Sequence, residues 1–305
     1  MDGVIIVDKP QDFTSFDVVA VMRRLSGERK IGHTGTLDPM ATGVLPLLLG
    51  KATRAIPFLD DTDKEYAASF RFGVSTDTQD STGKILAESD VPVPRARLEA
   101  VLPEFCGDIL QVPPMYSAVR KNGQRLYDLA RQGIEVEREP RPVTIDRLEL
   151  NDYDEAARTG SLTIRCSKGT YIRTICADLG ERLGAHGVMT ALRRTVASGF
   201  TLADAVTLEQ AKELAVRGEL QEHVLPVERL FLRNPVLTVT TAQASRFCNG
   251  GALSLNRTAL ASESEQDGAV YRVHSPQGEF LGLGTVCAAS GELRVLRLFA
   301  EAHSN

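Results

Sequence analysis

The chain has no tryptophan, only 6% aromatic residues, and five cysteines among its 305 residues. The cysteines (Cys106, Cys166, Cys176, Cys248, Cys287) are odd in number and widely spread, with no Cys-x-x-Cys pair. That argues against a disulfide framework or a zinc site and fits a reducing cytosol. Positive charge is not in excess: 35 Lys and Arg face 40 Asp and Glu, a net charge of −5. Coating nucleic acid through bulk charge is therefore excluded, whereas a local basic surface is not. The apolar run at 4–7 is too short for a signal segment, and no run approaches the roughly 18 apolar residues of a membrane span. No membrane partner is expected, and the expected location is cytoplasmic. Walker, Rossmann, His-Glu-x-x-His and Gly-x-Ser-x-Gly motifs are all missing, so neither cofactor nor metal is expected.

What remains is an ordinary globular composition, 43% hydrophobic and 25% charged, at a length that suggests two domains with a sizeable core. Charge is unevenly placed. Residues 158–194 hold seven bases and two acids, and residues 59–108 hold eleven acids and five bases. Residues 120–147 are mixed but rich in arginine, with seven bases and five acids. Each run alone reads as a solvated face; together, the basic ones can converge on one polyanion.

Hydrophobic spacing predicts a buried strand at 4–7 and a short amphipathic helix after the capping pattern Thr14-Ser15-Phe16-Asp17, stopped by Gly27. Strict alternation over 64–73 predicts a strand with Tyr66, Ala68, Phe70 and Phe72 on one face. Further strands are expected at 143–150 and 162–166, and helices at 94–105, from Ile172 to Leu183, and at 207–225. Residues 123–133 read as a basic helix or loop. After Asn234-Pro235, short apolar runs separated by glycine turns predict a small β-rich module. The element order gives an α+β protein with a mixed body and a β-rich tail.

The densest special stretch is Gly32-His33-Thr34-Gly35-Thr36-Leu37-Asp38-Pro39-Met40-Ala41-Thr42-Gly43, whose glycines describe a tight loop. Asp38 before Pro39 suits a helix N-cap followed by proline at the first helical position. His33 alone reads as a structural or surface residue, and Tyr66 as a strand tyrosine beside Phe70. Asp77 and Asp80 suit a turn. Arg173 is expected in the first turn of its helix, where a cation opposes the helix dipole, which points to a partner carboxylate or phosphate.

Several stretches in combination are similar to the bacterial tRNA pseudouridine-55 synthases, the TruB family of pseudouridine synthases. They are GHTGTLDPMATGVLPLLLGKATR at 32–54, KEY at 64–66, TDTQDSTG at 76–83, QVPPMYSAVRKNGQRLYDLARQGIEVERE at 111–139, KGTYIRTICADLG at 168–180 and ALRRT at 191–195. The resemblance implies that Asp38 is the essential aspartate, Tyr66 the tyrosine stacking on the target base, and Arg173 the arginine pairing with the aspartate. It places His33, Asp80 and Tyr171 around the flipped nucleotide. It also implies a mixed-sheet catalytic domain over 1–232, an RNA-gripping insertion at 115–138, and a PUA-like RNA-binding domain over 236–305. Arg120, Lys121 and Arg125 in the insertion then become phosphate contacts. The implied partner is the T-stem-loop of tRNA; no protein partner is implied, and a monomer is expected.

That reaction breaks the N1–C1′ bond of a uridine, turns the base and rejoins it through C5. It is redox-neutral and needs no cofactor. A flipped base costs a few kcal/mol of lost stacking, and an aromatic such as Tyr66 returns about 1–3 kcal/mol. Asp38 must be ionised whether it attacks C6 or C1′ or takes a proton from C2′, and a two-point contact from Arg173 would keep it charged and aimed. The Tyr66 hydroxyl is a candidate route for the C5 proton. Two rival readings are an RNA-binding protein that remodels tRNA without modifying it, and an Asp-nucleophile glycoside hydrolase. Binding alone does not need the Asp38, Tyr66 and Arg173 triplet, and the hydrolase lacks an evident second carboxylate.

Overall fold

The computed structural model describes residues 1–59, 64–262 and 266–300. Part of the acidic stretch, residues 60–63, and the last five residues of the C-terminal module lie outside the described residues. In chain order the body comprises β1 (Gly3–Lys9), α1 (Ser15–Ser26), β2 (Ile31–His33), β3 (Thr42–Leu49), β4 (Lys64–Phe72), β5 (Val74–Thr76) and β6 (Ile85–Glu88). Next come α2 (Arg95–Val101), β7 (Gly107–Gln111), β8 (Arg120–Lys121), β9 (Gln124–Arg125), α3 (Leu126–Arg131), β10 (Arg141–Asp154) and β11 (Thr159–Cys166). The body closes with α4 (Ile172–Arg182), β12 (Gly187–Ala197), β13 (Phe200–Thr201), β14 (Val206–Thr207) and α5 (Leu208–Arg217). The C-terminal unit adds β15 (Val236–Thr238), α6 (Thr241–Cys248), β16 (Leu253–Ser254), β17 (Val270–His274), β18 (Phe280–Cys287) and β19 (Glu292–Leu298).

One mixed sheet, ordered β14-β1-β3-β12-β4-β11-β10-β7, forms the body, with β2 on β3 and β13 on β12. Its two halves meet where β12 runs parallel to β3, in only two residue pairs, Arg193 with Thr42 and Arg194 with Gly43. On its other edge β12 pairs antiparallel with β4, where Arg194 opposes Tyr66. Gly43, Arg194 and Tyr66 therefore lie in one row across three strands. Gly43 has φ 105°, and a Cβ there would lie 2.2 Å from the Arg194 carbonyl, so the seam requires glycine.

Local expectations hold where the periodicity is strong. α1 is capped by Thr14 and Asp17 reciprocally and ends on left-handed Gly27. β4 alternates as expected and buries Tyr66, Ala68, Phe70 and Phe72. The helix expected over 207–225 is shorter: Gly218 at φ 76° ends α5, and the chain continues as a 3-10 turn, Leu220–His223. The strand-and-turn texture of the tail also conceals a helix, α6, started by a Thr240–Gln243 capping box.

The tail forms a five-stranded sheet, β15-β17-β18-β19-β16, with its own buried cluster around Phe247, Val273 and Leu293. It is not an appendage. Leu283, Phe280 and Phe299 join Phe231, Phe200, Val4, Ile6 and Leu48 of the body in one apolar cluster, with Phe280 and Phe299 rings 5.7 Å apart. Arg272 and His274 of β17 both reach Glu228 at 2.7 Å. Each large side chain in such a cluster contributes about 1.5–3 kcal/mol by burial. Cutting the chain at 236 is therefore expected to lower the thermal midpoint by several degrees, beyond any loss of RNA affinity. A thermal melt of the truncated chain beside the full one measures this, and an unchanged midpoint would show that the contact contributes nothing.

Candidate active site

β2 and β3 form a hairpin in which His33 pairs with Leu47, so residues 34–41 are its connecting loop. Asp38 sits in that loop. No helix follows it: the Ala41 N–H donates to the Asp38 carbonyl at 3.0 Å, closing a turn with Pro39 at its second position. The N-cap expectation for Asp38 is thus corrected, because the chain enters β3 within four residues and has no room for a helical turn. The loop is fastened from the α1 side. Ser15 Oγ accepts from the Leu37 N–H at 2.9 Å, and the Asp12 N–H donates to the Pro39 carbonyl at 2.9 Å.

Lys9, at the end of β1, is fully buried and donates Nζ to the carbonyls of Pro10, Phe13 and Pro39. Burial pushes its pKa down to about 8, against the pull of Asp38. Sequence reading passed over Lys9, since its strand-end position carries no pattern that distinguishes it from a surface lysine.

Asp38 faces Arg173, the second residue of α4, whose Nε lies 3.0 Å from Asp38 Oδ2. The Asp38 side chain is 38% exposed and that of Arg173 only 6%, so the carboxylate is reachable and its partner is not. The expected two-point contact is not what forms. The Arg173 fork is shared: Nη1 donates to the Thr78 carbonyl at 3.0 Å and Nη2 to the Tyr116 carbonyl at 2.9 Å. Nη1 also lies 3.8 Å from Asp80 Oδ2. One guanidinium thus ties the Asp38 loop, the 76–83 turn and the start of the insertion together. Desolvation pushes the Asp38 carboxyl above its ordinary range and Asp80 adds to this, while Arg173 and Lys9 oppose it.

Asp80 serves both as turn-former and as part of the site. Its Oδ1 accepts from Thr78 Oγ1, the Thr82 N–H and Thr82 Oγ1 at 2.6–3.0 Å, leaving Oδ2 toward Arg173. Tyr66 is 7% exposed and shares a buried cluster with Leu37 and Ala41 of the Asp38 loop. At His33, burial first and Arg194 second hold the imidazole below its ordinary pKa, and its buried Nδ1 has no hydrogen-bond partner. Tyr171 occupies the N-cap position of α4 and is held by its backbone: the Gln111 side chain accepts from its N–H at 2.7 Å and donates to its carbonyl at 3.1 Å.

The structure thus gathers Asp38, Arg173, Asp80, Tyr66 and His33 around one loop, with Tyr171 at the adjoining helix start. Arg120, Lys121 and Arg125 stand apart on the β8–β9 hairpin. There Arg125 and Arg131 lie against the Tyr127 ring at 5.7 and 5.4 Å, and Lys121 Nζ donates to the Glu137 carbonyl. Thr78 and Tyr116 act through their carbonyls, and Gln111 through side-chain hydrogen bonds to the backbone of Tyr171, 60 positions away. Residue type alone does not signal such roles. Among the described residues no cluster of His, Cys, Asp and Glu could hold a metal ion, and no helix is long and apolar enough to cross a membrane.

The site thus joins an aspartate loop over the seam of a mixed sheet, a buried arginine behind the carboxylate and a tyrosine on the adjacent strand. Residues 23–172 match the TruB family pseudouridylate synthase N-terminal domain, residues 173–232 the tRNA pseudouridylate synthase B C-terminal domain, and residues 235–299 the pseudouridine synthase II TruB C-terminal region. A tRNA pseudouridine synthase B of Dechloromonas aromatica (strain RCB) is 43% identical over 93% of this chain and 91% of its own. One of Geobacillus thermodenitrificans (strain NG80-2) is 44% identical over 98% and 100%. The chain belongs to the TruB family of pseudouridylate synthases. Its fold is similar to a chain in the crystal structure of a Cbf5-Nop10-Gar1 complex, with a TM-score of 0.76 and 25% identity over 98% of this chain and 85% of that one.

Proposed function

We propose that this chain isomerises a uridine in the T-loop of tRNA, at position 55, to pseudouridine, acting as a cytoplasmic monomer. The observation that carries this is the reachable Asp38 carboxylate held 3.0 Å from the buried Arg173, in a family whose relatives are named tRNA pseudouridine synthase B. Asp38 is the nucleophile; Arg173 keeps it ionised and aimed; Tyr66 stacks on the flipped base. His33, Asp80 and Tyr171 surround the nucleotide. The N1–C1′ bond breaks, the base turns, and a C5–C1′ bond forms; the C5 proton then leaves while N1 gains one, so the reaction balances without a redox partner. Incubating the pure protein with unmodified tRNA transcript and mapping carbodiimide adducts by primer extension tests the reading. A stop specific to the T-loop uridine is expected; its absence would refute the activity, and a stop elsewhere the position.

In this reading the body over 1–232 carries the chemistry, residues 115–138 grip RNA, and the unit from 236 is a PUA-like RNA-binding domain. The acidic chain must use local cations on phosphates, so affinity should fall steeply with salt. Changing Arg120, Lys121 and Arg125 to alanine is expected to flatten the slope of log affinity against log salt by about 0.7–0.9 per lost phosphate contact. Filter binding at several salt concentrations measures this; an unchanged slope would remove these residues from the RNA interface.

A further inference from the structure

The turn that presents the Thr78 carbonyl and Asp80 to Arg173 is held in a conformation its own sequence disfavours. Gln79, between them, has φ 63°, the left-handed region that a side chain with a Cβ adopts at a cost. Its N–H donates to the Thr76 carbonyl at 3.2 Å, and its carbonyl accepts from the Met189 N–H at 3.1 Å. Its side-chain Oε1 accepts from Thr174 Oγ1 at 2.8 Å. Thr174 is 2% exposed and directly follows Arg173 on α4. The helix that carries the arginine therefore also carries the hydroxyl that anchors the turn facing it.

We propose that Thr174 and Gln79 are positioning residues of the isomerisation: the buried hydroxyl clamps Gln79 in its left-handed conformation, which aims the Thr78 carbonyl and Asp80 at Arg173 and so fixes Arg173 against Asp38. If Gln79 relaxed to a right-handed conformation, the peptide planes on both sides of it would turn. Thr78 and Asp80 are its immediate neighbours, so both acceptors of Arg173 Nη1 would move. The guanidinium is a rigid plane, and tilting Nη1 displaces the Nε that faces Asp38. Every charge facing Asp38 is involved or adjacent: Arg173 on α4, Asp80 in the turn and Lys9 on β1.

The inference rests on the reading of Asp38 as the reacting carboxylate. Wild-type turnover, and its loss in Asp38→Asn, test that reading separately in the same assay. Thr174→Val keeps the shape and removes the hydroxyl. Its single-turnover rate at saturating enzyme is expected to fall about ten- to a hundredfold, as for a displaced catalytic group, with tRNA affinity retained. The acid limb of its rate–pH profile should move to higher pH, because a loosened Arg173 holds the ionised aspartate less well. Thr174→Ser should restore both rate and profile. Gln79→Gly accepts the left-handed conformation without strain and has no amide to clamp, so adding Thr174→Val to it should change nothing further. Should Thr174→Val not fold, Gln79→Leu removes the same hydrogen bond from a partly exposed side and must reproduce the rate loss and the limb shift. A wild-type rate in the hydroxyl-deleted variant, a thermal loss with an unmoved pH profile, or defects that multiply in the double variant would each overturn the proposal.

Discussion

Asp38→Asn is expected to lower the single-turnover rate of pseudouridine formation by about three orders of magnitude or more, as removal of a nucleophile does. Binding of tRNA and thermal stability should persist. Asn keeps the shape of the side chain, and the turn around Asp38 is closed by backbone and by Ser15, Asp12 and Lys9, not by the carboxylate. The sign of the stability effect follows from the pKa. Burial first, then Asp80, raises the folded-state pKa of Asp38 despite Arg173 and Lys9. A carboxyl with a raised folded pKa contributes stability below its unfolded pKa and loses that contribution as pH rises through the folded one. Wherever the wild type is ionised it carries a charge the fold disfavours, so the neutral Asn variant should melt no lower there. The gap should close on acidification. A variant that kept a substantial rate would end the nucleophile assignment; one that melted far lower at neutral pH would end this account of the carboxylate's cost.

For Arg173 the expected result separates charge from geometry. Arg173→Lys keeps the cation but can supply neither the two carbonyl contacts to Thr78 and Tyr116 nor the Nε contact to Asp38 together. A rate loss of about a hundredfold is expected, the scale of a misplaced catalytic group. Arg173→Met removes the charge as well. Asp38 then loses the main influence opposing desolvation, its pKa rises further, and the residual rate should climb with pH over a range where the wild type is flat. The Lys variant should show a smaller shift. The Met variant also leaves the carbonyls of Thr78 and Tyr116 without their donor. Each such loss costs about 1–3 kcal/mol, so a lower thermal midpoint should accompany it. Single-turnover rates across pH at saturating enzyme, below both melting points, distinguish these outcomes. A Lys variant at full rate would sink the geometric claim, and a Met variant at full rate would sink the pairing.

Whether the mixed sheet and the site could be read without the structure depended on the range of the interactions involved. The capping box at Thr14 and Asp17, the alternation through β4 and the first-turn position of Arg173 are set by neighbours a few residues away, so the chain itself determined them. The electrostatic oddity of a cation at a helix start already implied a partner, and Asp38 supplies it. The motif stretches determined the family and the membership of Asp38, Tyr66 and Arg173 in one site.

Only the tertiary structure decided how that site is held. Asp38 at a helix cap and Asp38 in a hairpin turn are both compatible with Asp-Pro. Pairing of β2 with β3 selects the turn by bringing the chain straight back into the sheet. Thr78 and Tyr116 work through carbonyl oxygens, which every residue possesses. The side-chain amides of Gln79 and Gln111 find their partners, Thr174 and the Tyr171 backbone, 95 and 60 positions away, so residue type alone conveys nothing of their roles. Lys9 lies 29 positions before Asp38 and Arg173 lies 135 after it; the parallel seam of β3 with β12 is what brings the distant arms together. The same holds for the tail. Its short strands are local, but the docking of Phe280 and Phe299 on Phe231 joins residues whose apolar character alone suits any core, and only the packed arrangement decides which core they share.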